Sequence, residues 1–242
     1  MSVDQMFSVA QQMGLGRELD WLCRRAALAG ATSLPTGLPL FVNCNVSTLL
    51  DPIHRVDQML LVLESVSRKP EDVVLEITER EIVGDLGRLR SVVGSYRHEG
   101  FQFAVDDVGE GHSTLEVLAA TLPDFVKIAR SMVVEVGLPG PRGVIRAVVS
   151  FARETGALVV AEGIETVATA RAMYKLDVDL AQGYLFGQPL LAEAIPQAVI
   201  SLPPVRSAPP SRATADSSAA RERTGYALAA DQFAHTSTAG AS

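Results

Sequence analysis

The 242-residue sequence contains few cysteines and no long apolar run. Its two cysteines, Cys23 and Cys44, form no CxxC pair and give no disulfide framework, which is typical of a reducing compartment. No apolar run reaches the ~18 residues that a membrane helix needs. The N-terminus also lacks the basic start and apolar centre of a signal peptide. We therefore predict a cytoplasmic protein with no membrane segment.

Lysine is also scarce, and the charge balance is acidic. The net charge is −7, so the sequence gives no electrostatic reason to bind a nucleic-acid backbone, and we predict no nucleic-acid partner. An anionic substrate would instead need metal ions or local cationic groups. Three of the 21 basic residues are lysines, Lys69, Lys127 and Lys175, which makes a lysine at the end of a strand noticeable.

The rest of the composition favours a globular domain followed by a different kind of segment. The chain is 48% hydrophobic and 20% charged, which suits a sizeable core. Residues 203–242 are rich in Pro, Ser, Ala and Arg without apolar periodicity, so they bury too little surface to offset the entropy of ordering. We predict one domain over residues 1–202 and a disordered tail over residues 203–242.

Apolar runs alternate with helical patterns along the predicted domain. Helical patterns, with apolar residues at i, i+3, i+4 and i+7, cover residues 55–67, 85–100 and 142–156. The apolar runs predict six strands, at residues 39–46, 72–79, 101–107, 124–129, 157–165 and 178–186. Strands that alternate with helices are typical of parallel sheets with right-handed crossovers, which indicates an α/β fold.

Polar residues stand at or near the carboxyl end of each predicted strand. In a barrel of parallel strands these ends converge on one face, where such enzymes place their chemistry. Ordinary alternatives exist for single members: an aspartate could cap the next helix, Asn45 could cap a turn, Glu76 could pair with an arginine, and Gln182 could bond to a loop. The shared position of the whole set favours a functional site. Its members are Asn45, Glu76, Glu79, Asp106, Asp107, Lys127, Glu162, Glu165 and Gln182.

The residue types in this set indicate a site for hard divalent cations. Carboxylate and amide oxygens without histidine or cysteine at zinc-like spacing favour Mg²⁺ or Mn²⁺ over Zn²⁺. Several carboxylates exceed the needs of one ion and suggest two, a common arrangement for phosphodiester cleavage. Adjacent Asp106 and Asp107 then attract cations, one bridging the two ions and the other binding one of them.

Six motifs carry a family resemblance, in order and with matching spacing: "NVS", "LEITE", "VDDVGEGHSTL", "VKIAR", "VVAEGIET" and "AQGYLFGQP". Over about residues 5–200 they resemble the successive motifs of EAL-domain proteins, the cyclic-di-GMP phosphodiesterases of bacteria. The resemblance implies a modified TIM (β/α)8 barrel of EAL type. It also implies metal-dependent hydrolysis of cyclic di-GMP to linear pGpG in second-messenger signalling.

Site roles follow from the same resemblance. Metal ligands are implied at Asn45, Glu76, Asp106, Asp107 and Glu162, with the second ion held mainly by Asp107 and Glu162. Catalytic roles are implied for Lys127, Glu162 and Gln182, with Lys127 orienting the attacking water or stabilising developing charge. Supporting roles are implied for Glu79, which anchors the loop after the aspartate pair through Ser113, and for Glu165.

The sequence departs from the family pattern in one large way and several small ones. The Glu-Ala-Leu motif precedes the strand of Asn45 in the family, and this chain begins after it, so we expect a barrel that lacks its N-terminal strands. An upstream start, a decayed gene and strands from another subunit are the explanations left open. The smaller departures are Val108, Glu110, His112, Ala129 and Gln188.

Three functional hypotheses follow. The first is a phosphodiesterase whose partner is cyclic di-GMP. The second is a non-catalytic EAL module, which would be a cyclic-di-GMP receptor or a protein-interaction domain. The absence of the glutamate of the Glu-Ala-Leu motif favours this hypothesis, as do Glu110 and Ala129. The third is an unrelated barrel enzyme that acts on another phosphate ester. A homodimer and an upstream sensory or GGDEF domain fit the family, but the sequence itself is silent on both.

Overall fold

The computed structural model describes residues 2–53, 56–78, 85–111 and 114–195. Within those ranges the chain begins with two helices, α1 (Val3–Gln12) and α2 (Gly16–Gly30), and then alternates between strands and helices. The predicted tail over 203–242 lies outside the described residues, and so do Glu79, His112 and Ser113.

All six predicted strands are present, most of them shorter than predicted. They form a sheet in which spatial order follows chain order, and the β1–β2, β2–β3 and β5–β6 pairs are parallel. This confirms the predicted α/β class. The strands are β1 (Leu40–Asn43), β2 (Val73–Thr78), β3 (Gln102–Val108), β4 (Phe125–Ile128), β5 (Leu158–Ala161) and β6 (Leu180–Ala181).

The helices begin and end at recognisable signals. The Oδ1 atom of Asp85 accepts a hydrogen bond from the Arg88 backbone N–H at 3.0 Å, which caps the helix that follows. The helix over Pro139–Thr155 ends at Gly156, whose φ of +77° is the left-handed conformation that favours glycine. The remaining helices are α3 (Val46–Leu49), α4 (Val56–Ser65), α5 (Leu86–His98), α6 (Thr114–Thr121), α7 (Arg130–Val134), α8 (Pro139–Thr155) and α9 (Val167–Lys175), with single 3₁₀ turns at Pro70–Asp72 and Ala192–Ala194.

Strand β2 shows why the predicted strands are apolar at consecutive positions. Its residues Val73, Val74, Leu75 and Ile77 are fully buried, so neither face of the strand is open to solvent. Burying each such side chain stabilises the fold by about 1.5–3 kcal/mol. The exception within this run is Glu76, a carboxylate that is only 6% exposed.

The chain divides into two compact units. The first comprises Met1–Phe125 with Leu190–Ala194, and the second is built on Val126–Pro189. Asn45, Glu76, Asp106 and Asp107 belong to the first unit, whereas Lys127, Glu162, Glu165 and Gln182 belong to the second. Among the described residues, no helix combines the length and the apolar character needed to cross a bilayer.

Candidate active site

The aspartate pair at the end of β3 has an unusual backbone. Neighbouring residues of a regular strand point to opposite faces of the sheet. Asp107 has a φ of +56°, a left-handed conformation that breaks this alternation. One carboxylate oxygen of Asp106 consequently lies within 4.8 Å of one of Asp107. The backbone N–H of Asp107 also donates to Oδ1 of Asp106 at 3.0 Å, which orients the first carboxylate.

Glu76 lies on the same face of the sheet as Asp106. In the parallel register, Glu76 stands opposite Ala104, and Thr78 stands opposite Asp106. Residues opposite one another share a face, and every second residue of a strand returns to it. A buried carboxylate is costly unless a cation or hydrogen bonds compensate its charge. The position and burial of Glu76 therefore suit a metal ligand.

Asn45 follows β1 and caps the short helix α3. Its Oδ1 atom accepts hydrogen bonds from the Ser47 backbone N–H at 2.8 Å and from the Ser47 hydroxyl at 2.6 Å. Asn45 therefore has the capping role that the sequence analysis named as an alternative. Two bonds use both lone pairs of an amide oxygen. For this oxygen to bind a cation, the Ser47 hydroxyl must rotate away.

A residue that the sequence analysis missed holds the backbone of Asn45. Asp20 on α2 accepts a hydrogen bond at Oδ1 from the Asn45 backbone N–H at 2.9 Å. Its other oxygen, Oδ2, pairs with Arg24 Nη2 at 2.9 Å, and the two side chains are 6% and 1% exposed. Aspartate and arginine four residues apart usually form an exposed pair on a helix surface, so this pattern gave no sign of burial.

The buried guanidinium of Arg24 lies in an environment that keeps it charged. Burial alone would lower the pKa of Arg24, but the neighbouring Cys44, Asp20 and Tyr96 raise it above its usual value. Burial, together with Cys44, also raises the pKa of Tyr96 to about 12. Arg24 therefore stays charged next to Asp20, the residue that accepts the hydrogen bond from the Asn45 backbone.

Lys127 and Glu162 are two of the predicted site residues that belong to the second unit. Lys127 lies in β4 and is only 5% exposed. Its Nζ atom lies 2.7 Å from Oε1 of Glu162, with side-chain exposures of 6% and 18%. Glu162 directly follows β5, and its backbone N–H donates to the Ile128 carbonyl at 3.2 Å. The structure therefore brings these two predicted catalytic residues into direct contact.

Gln182 directly follows β6. Its backbone N–H donates to the Ala161 carbonyl at 2.8 Å, which extends the β5–β6 pairing to the residue before Glu162. A Cβ atom on Gly183 would lie only 2.2 Å from the Ile164 carbonyl oxygen, so no other residue fits there. The Gln182 side chain itself is exposed.

Glu165 is held on the surface by an arginine that the sequence analysis did not single out. Arg130 Nη2 lies 2.8 Å from Glu165 Oε1, with side-chain exposures of 63% and 48%. The arginine stem crosses Gly163, whose φ is +64° and where a Cβ would lie 2.3 Å from Arg130 Cγ. An exposed ion pair of this kind stabilises a fold by only about 0–1 kcal/mol.

The donor set of the first unit fits a hard cation. Asn45, Glu76, Asp106 and Asp107 all offer oxygen atoms, the ligands that Mg²⁺, Mn²⁺ and Ca²⁺ prefer. The two aspartate carboxylates, brought within 4.8 Å, form an acidic cluster that can hold a metal ion. The left-handed Asp107 costs of order 1 kcal/mol, and such strain is typical of functional sites.

A model of the EAL domain matches residues 1–189, and the chain therefore belongs to the EAL-domain family. The chain is 30% identical over 177 residues to the probable cyclic di-GMP phosphodiesterase PdeG of Escherichia coli, an alignment that covers 73% of this chain and 35% of PdeG. It thus spans about a third of the length of the curated relatives that it matches.

Solved structures show the same family and fold. BlrP1 of Klebsiella pneumoniae, in complex with manganese and cyclic di-GMP, matches with a TM-score of 0.72 and 28% identity over 79% of this chain and 49% of that chain. BlrP1 has also been solved with calcium and cyclic di-GMP. The EAL domain of DcpA from Mycobacterium smegmatis matches with a TM-score of 0.64 and 31% identity over 70% of this chain and 78% of that chain. These similarities confirm the predicted TIM-barrel fold of EAL type.

Proposed function

We propose that this chain is the catalytic domain of a phosphodiesterase that hydrolyses cyclic di-GMP to linear pGpG. One observation carries the proposal: the left-handed Asp107 brings its carboxylate within 4.8 Å of that of Asp106, at the strand end where the EAL family places its metal-binding motif. Membership of a family with named cyclic di-GMP phosphodiesterases supplies the substrate and the reaction.

The metal requirement is two ions of Mg²⁺ or Mn²⁺, with Asn45, Glu76, Asp106, Asp107 and Glu162 as ligands. The oxygen donors of the set and the shared face of Glu76 and Asp106 support this assignment. The complexes of BlrP1 with manganese and with calcium support a divalent cation. When bound, such ions would polarise the phosphodiester and lower the pKa of the attacking water.

The second unit contributes charge and hydrogen bonds to the reaction. Lys127 would stabilise the negative charge that develops on the phosphate, because a buried cation acts strongly where water is excluded. Its ion pair at 2.7 Å meanwhile fixes the direction of the Glu162 carboxylate. Gln182 would position the attacking water through its amide. Supporting roles for Glu79, Ser113 and Glu165 stay predictions.

The place of action that fits this chemistry is the cytoplasm. Cys23 and Cys44 form no disulfide with one another, and Cys44 is buried, which is typical of proteins in a reducing compartment. A homodimer and an upstream sensory or GGDEF domain stay predictions as well.

The proposal is tested by incubating the purified full chain with cyclic di-GMP and Mn²⁺ or Mg²⁺ and separating the products. We expect pGpG from the wild type, almost none from Asp106→Asn, and wild-type amounts from the matched control Glu64→Gln, which changes an exposed carboxylate on α4. Binding of cyclic di-GMP without turnover would replace the proposal with a receptor function. Neither binding nor turnover would contradict both functions.

A further inference from the structure

We infer that Asp20 is a positioning residue for Asn45 and that the buried Asp20–Arg24 pair serves the metal site from beneath. The inference rests on the proposed function, because it assigns Asp20 to a proposed metal ligand. The residues involved all belong to the first unit, on α2 and at the end of β1.

Two anchors fix the conformation of Asn45. Its side-chain oxygen is held at 2.8 Å by the Ser47 backbone N–H, and its own backbone N–H is held at 2.9 Å by Oδ1 of Asp20. The first anchor aims the amide oxygen, and the second fixes the chain from which the side chain projects. A ligand to a metal needs such fixing, since partners behind the ligands set their direction.

Stability alone does not account for the Asp20–Arg24 pair. Replacing a buried ion pair by apolar side chains of similar size is often neutral or stabilising. The pair nevertheless buries both charges, with side-chain exposures of 6% and 1%. Arg24 holds one carboxylate oxygen of Asp20, and this leaves the other oxygen directed at Asn45. The geometry therefore makes Arg24 the support for the hydrogen bond to Asn45.

A second buried arginine in the same unit provides a contrast. Arg68 is 5% exposed, and it donates hydrogen bonds to the backbone carbonyls of Ala31, Leu34 and Pro35. These bonds tie the segment that precedes β1, and none of the three carbonyls belongs to a proposed site residue. Replacing Arg68 should therefore reduce stability without changing metal affinity.

The test compares two double variants of the full chain. They differ only at position 20, where one keeps an oxygen that can accept the hydrogen bond from the Asn45 backbone N–H and the other does not. Asp20→Asn with Arg24→Met removes both charges but keeps an oxygen for the Asn45 backbone N–H. Asp20→Leu with Arg24→Met removes the oxygen as well. Mn²⁺ binding, followed by the electron paramagnetic resonance signal of free Mn²⁺, should be about tenfold weaker in the leucine variant and close to wild type in the asparagine variant. Arg68→Met should bind Mn²⁺ like the wild type.

Each outcome is decisive. Equal Mn²⁺ affinity in the two double variants, with binding in the wild type, overturns the role of Asp20 and leaves the proposed function standing. Absence of Mn²⁺ binding in the wild type overturns the proposed metal site instead. Should the leucine variant not fold, hydrogen exchange of the Asn45 amide in the wild type decides: slow exchange supports the hydrogen bond to Asp20, and exchange at the rate of a solvent-exposed amide overturns it.

Discussion

The two units present their predicted site residues in opposite electrostatic states. The first unit gathers like charges, with carboxylate oxygens of Asp106 and Asp107 within 4.8 Å and Glu76 buried on the same face as Asp106. The second unit pairs unlike charges, with Lys127 and Glu162 2.7 Å apart. The first arrangement places like charges close together, whereas the second pairs a cation with a carboxylate.

This difference suggests that the first unit mainly attracts the metal ion, whereas the second mainly positions charged groups for the reaction. Neighbouring carboxylates repel one another unless a positive charge lies between them, so the first unit gains most from a bound ion. A buried pair such as Lys127–Glu162 instead holds a cation and a carboxylate in fixed directions before any ion binds. Substitutions in the two units should consequently fail in different ways.

The largest effect is expected in the first unit, from Asp106→Asn. Replacing the carboxylate by a neutral amide weakens a proposed ligand, so kcat should fall about a thousandfold with Mn²⁺ present. In buffer with a chelator, the same change relieves repulsion from Asp107, and the free energy of unfolding should stay equal or rise. Kinetic assays and urea denaturation measure the two quantities. Full activity, or a clear loss of metal-free stability, would contradict the comparison.

The next effect is expected in the second unit, from Lys127→Met. The Glu162 carboxylate would remain mostly buried without its cation, so the free energy of unfolding should fall by about 3 kcal/mol. Adding Glu162→Gln removes the stranded charge and should restore most of that loss. Urea denaturation of both single variants and of the double variant forms a double-mutant cycle. Additive losses would show that the pair contributes nothing to stability.

The smallest effect concerns pH and the Arg24 cluster of the first unit. Burial raises the pKa of Tyr96 from 10.0 to about 12, so the folded state favours the protonated phenol. The resulting stability is complete below pH 10, the pKa in the unfolded chain, and is lost as pH rises toward 12. The free energy of unfolding should therefore fall by up to about 3 kcal/mol over this interval.

Tyr96→Phe is the matched control for the pH dependence. The variant keeps the ring, whose edge-to-face contacts with Phe101 and Phe103 have centroid distances of 5.3 and 6.2 Å. It removes the titrating hydroxyl, so its stability should fall less steeply than that of the wild type at high pH. Identical pH profiles for the two proteins would show that Tyr96 ionises as freely in the folded chain as in the unfolded one.

The sequence indicates candidate site residues best where the signal is local. A strand that ends in two aspartates, or a rare lysine within an apolar run, is visible without knowing what lies beside it. Lys127 is therefore a candidate from composition and position alone. Its contact with Glu162 could not be found that way, because the 2.7 Å distance depends on how β4 and β5 are arranged in the sheet.

Features that depend on burial or on backbone angles could not be predicted from the sequence. Asp20 and Arg24 look like an ordinary exposed helix pair until packing shows that their side chains are 6% and 1% exposed. The left-handed φ of Asp107 is equally hidden, since aspartate tolerates that conformation but adopts it in only a minority of positions. Helix α3, over Val46–Leu49, is too short to leave a periodic pattern.

The pairing of Glu76 with Ala104 limits how the length of this chain can change over generations. Deleting one residue of β2 ahead of Glu76 would shift the strand register by one position and turn the Glu76 carboxylate to the opposite face of the sheet. The same deletion in a loop between strands would leave every side chain on its present face. Insertions and deletions inherited by descendants of this gene should therefore accumulate between the strands, whereas β2 and β3 should vary by substitution alone.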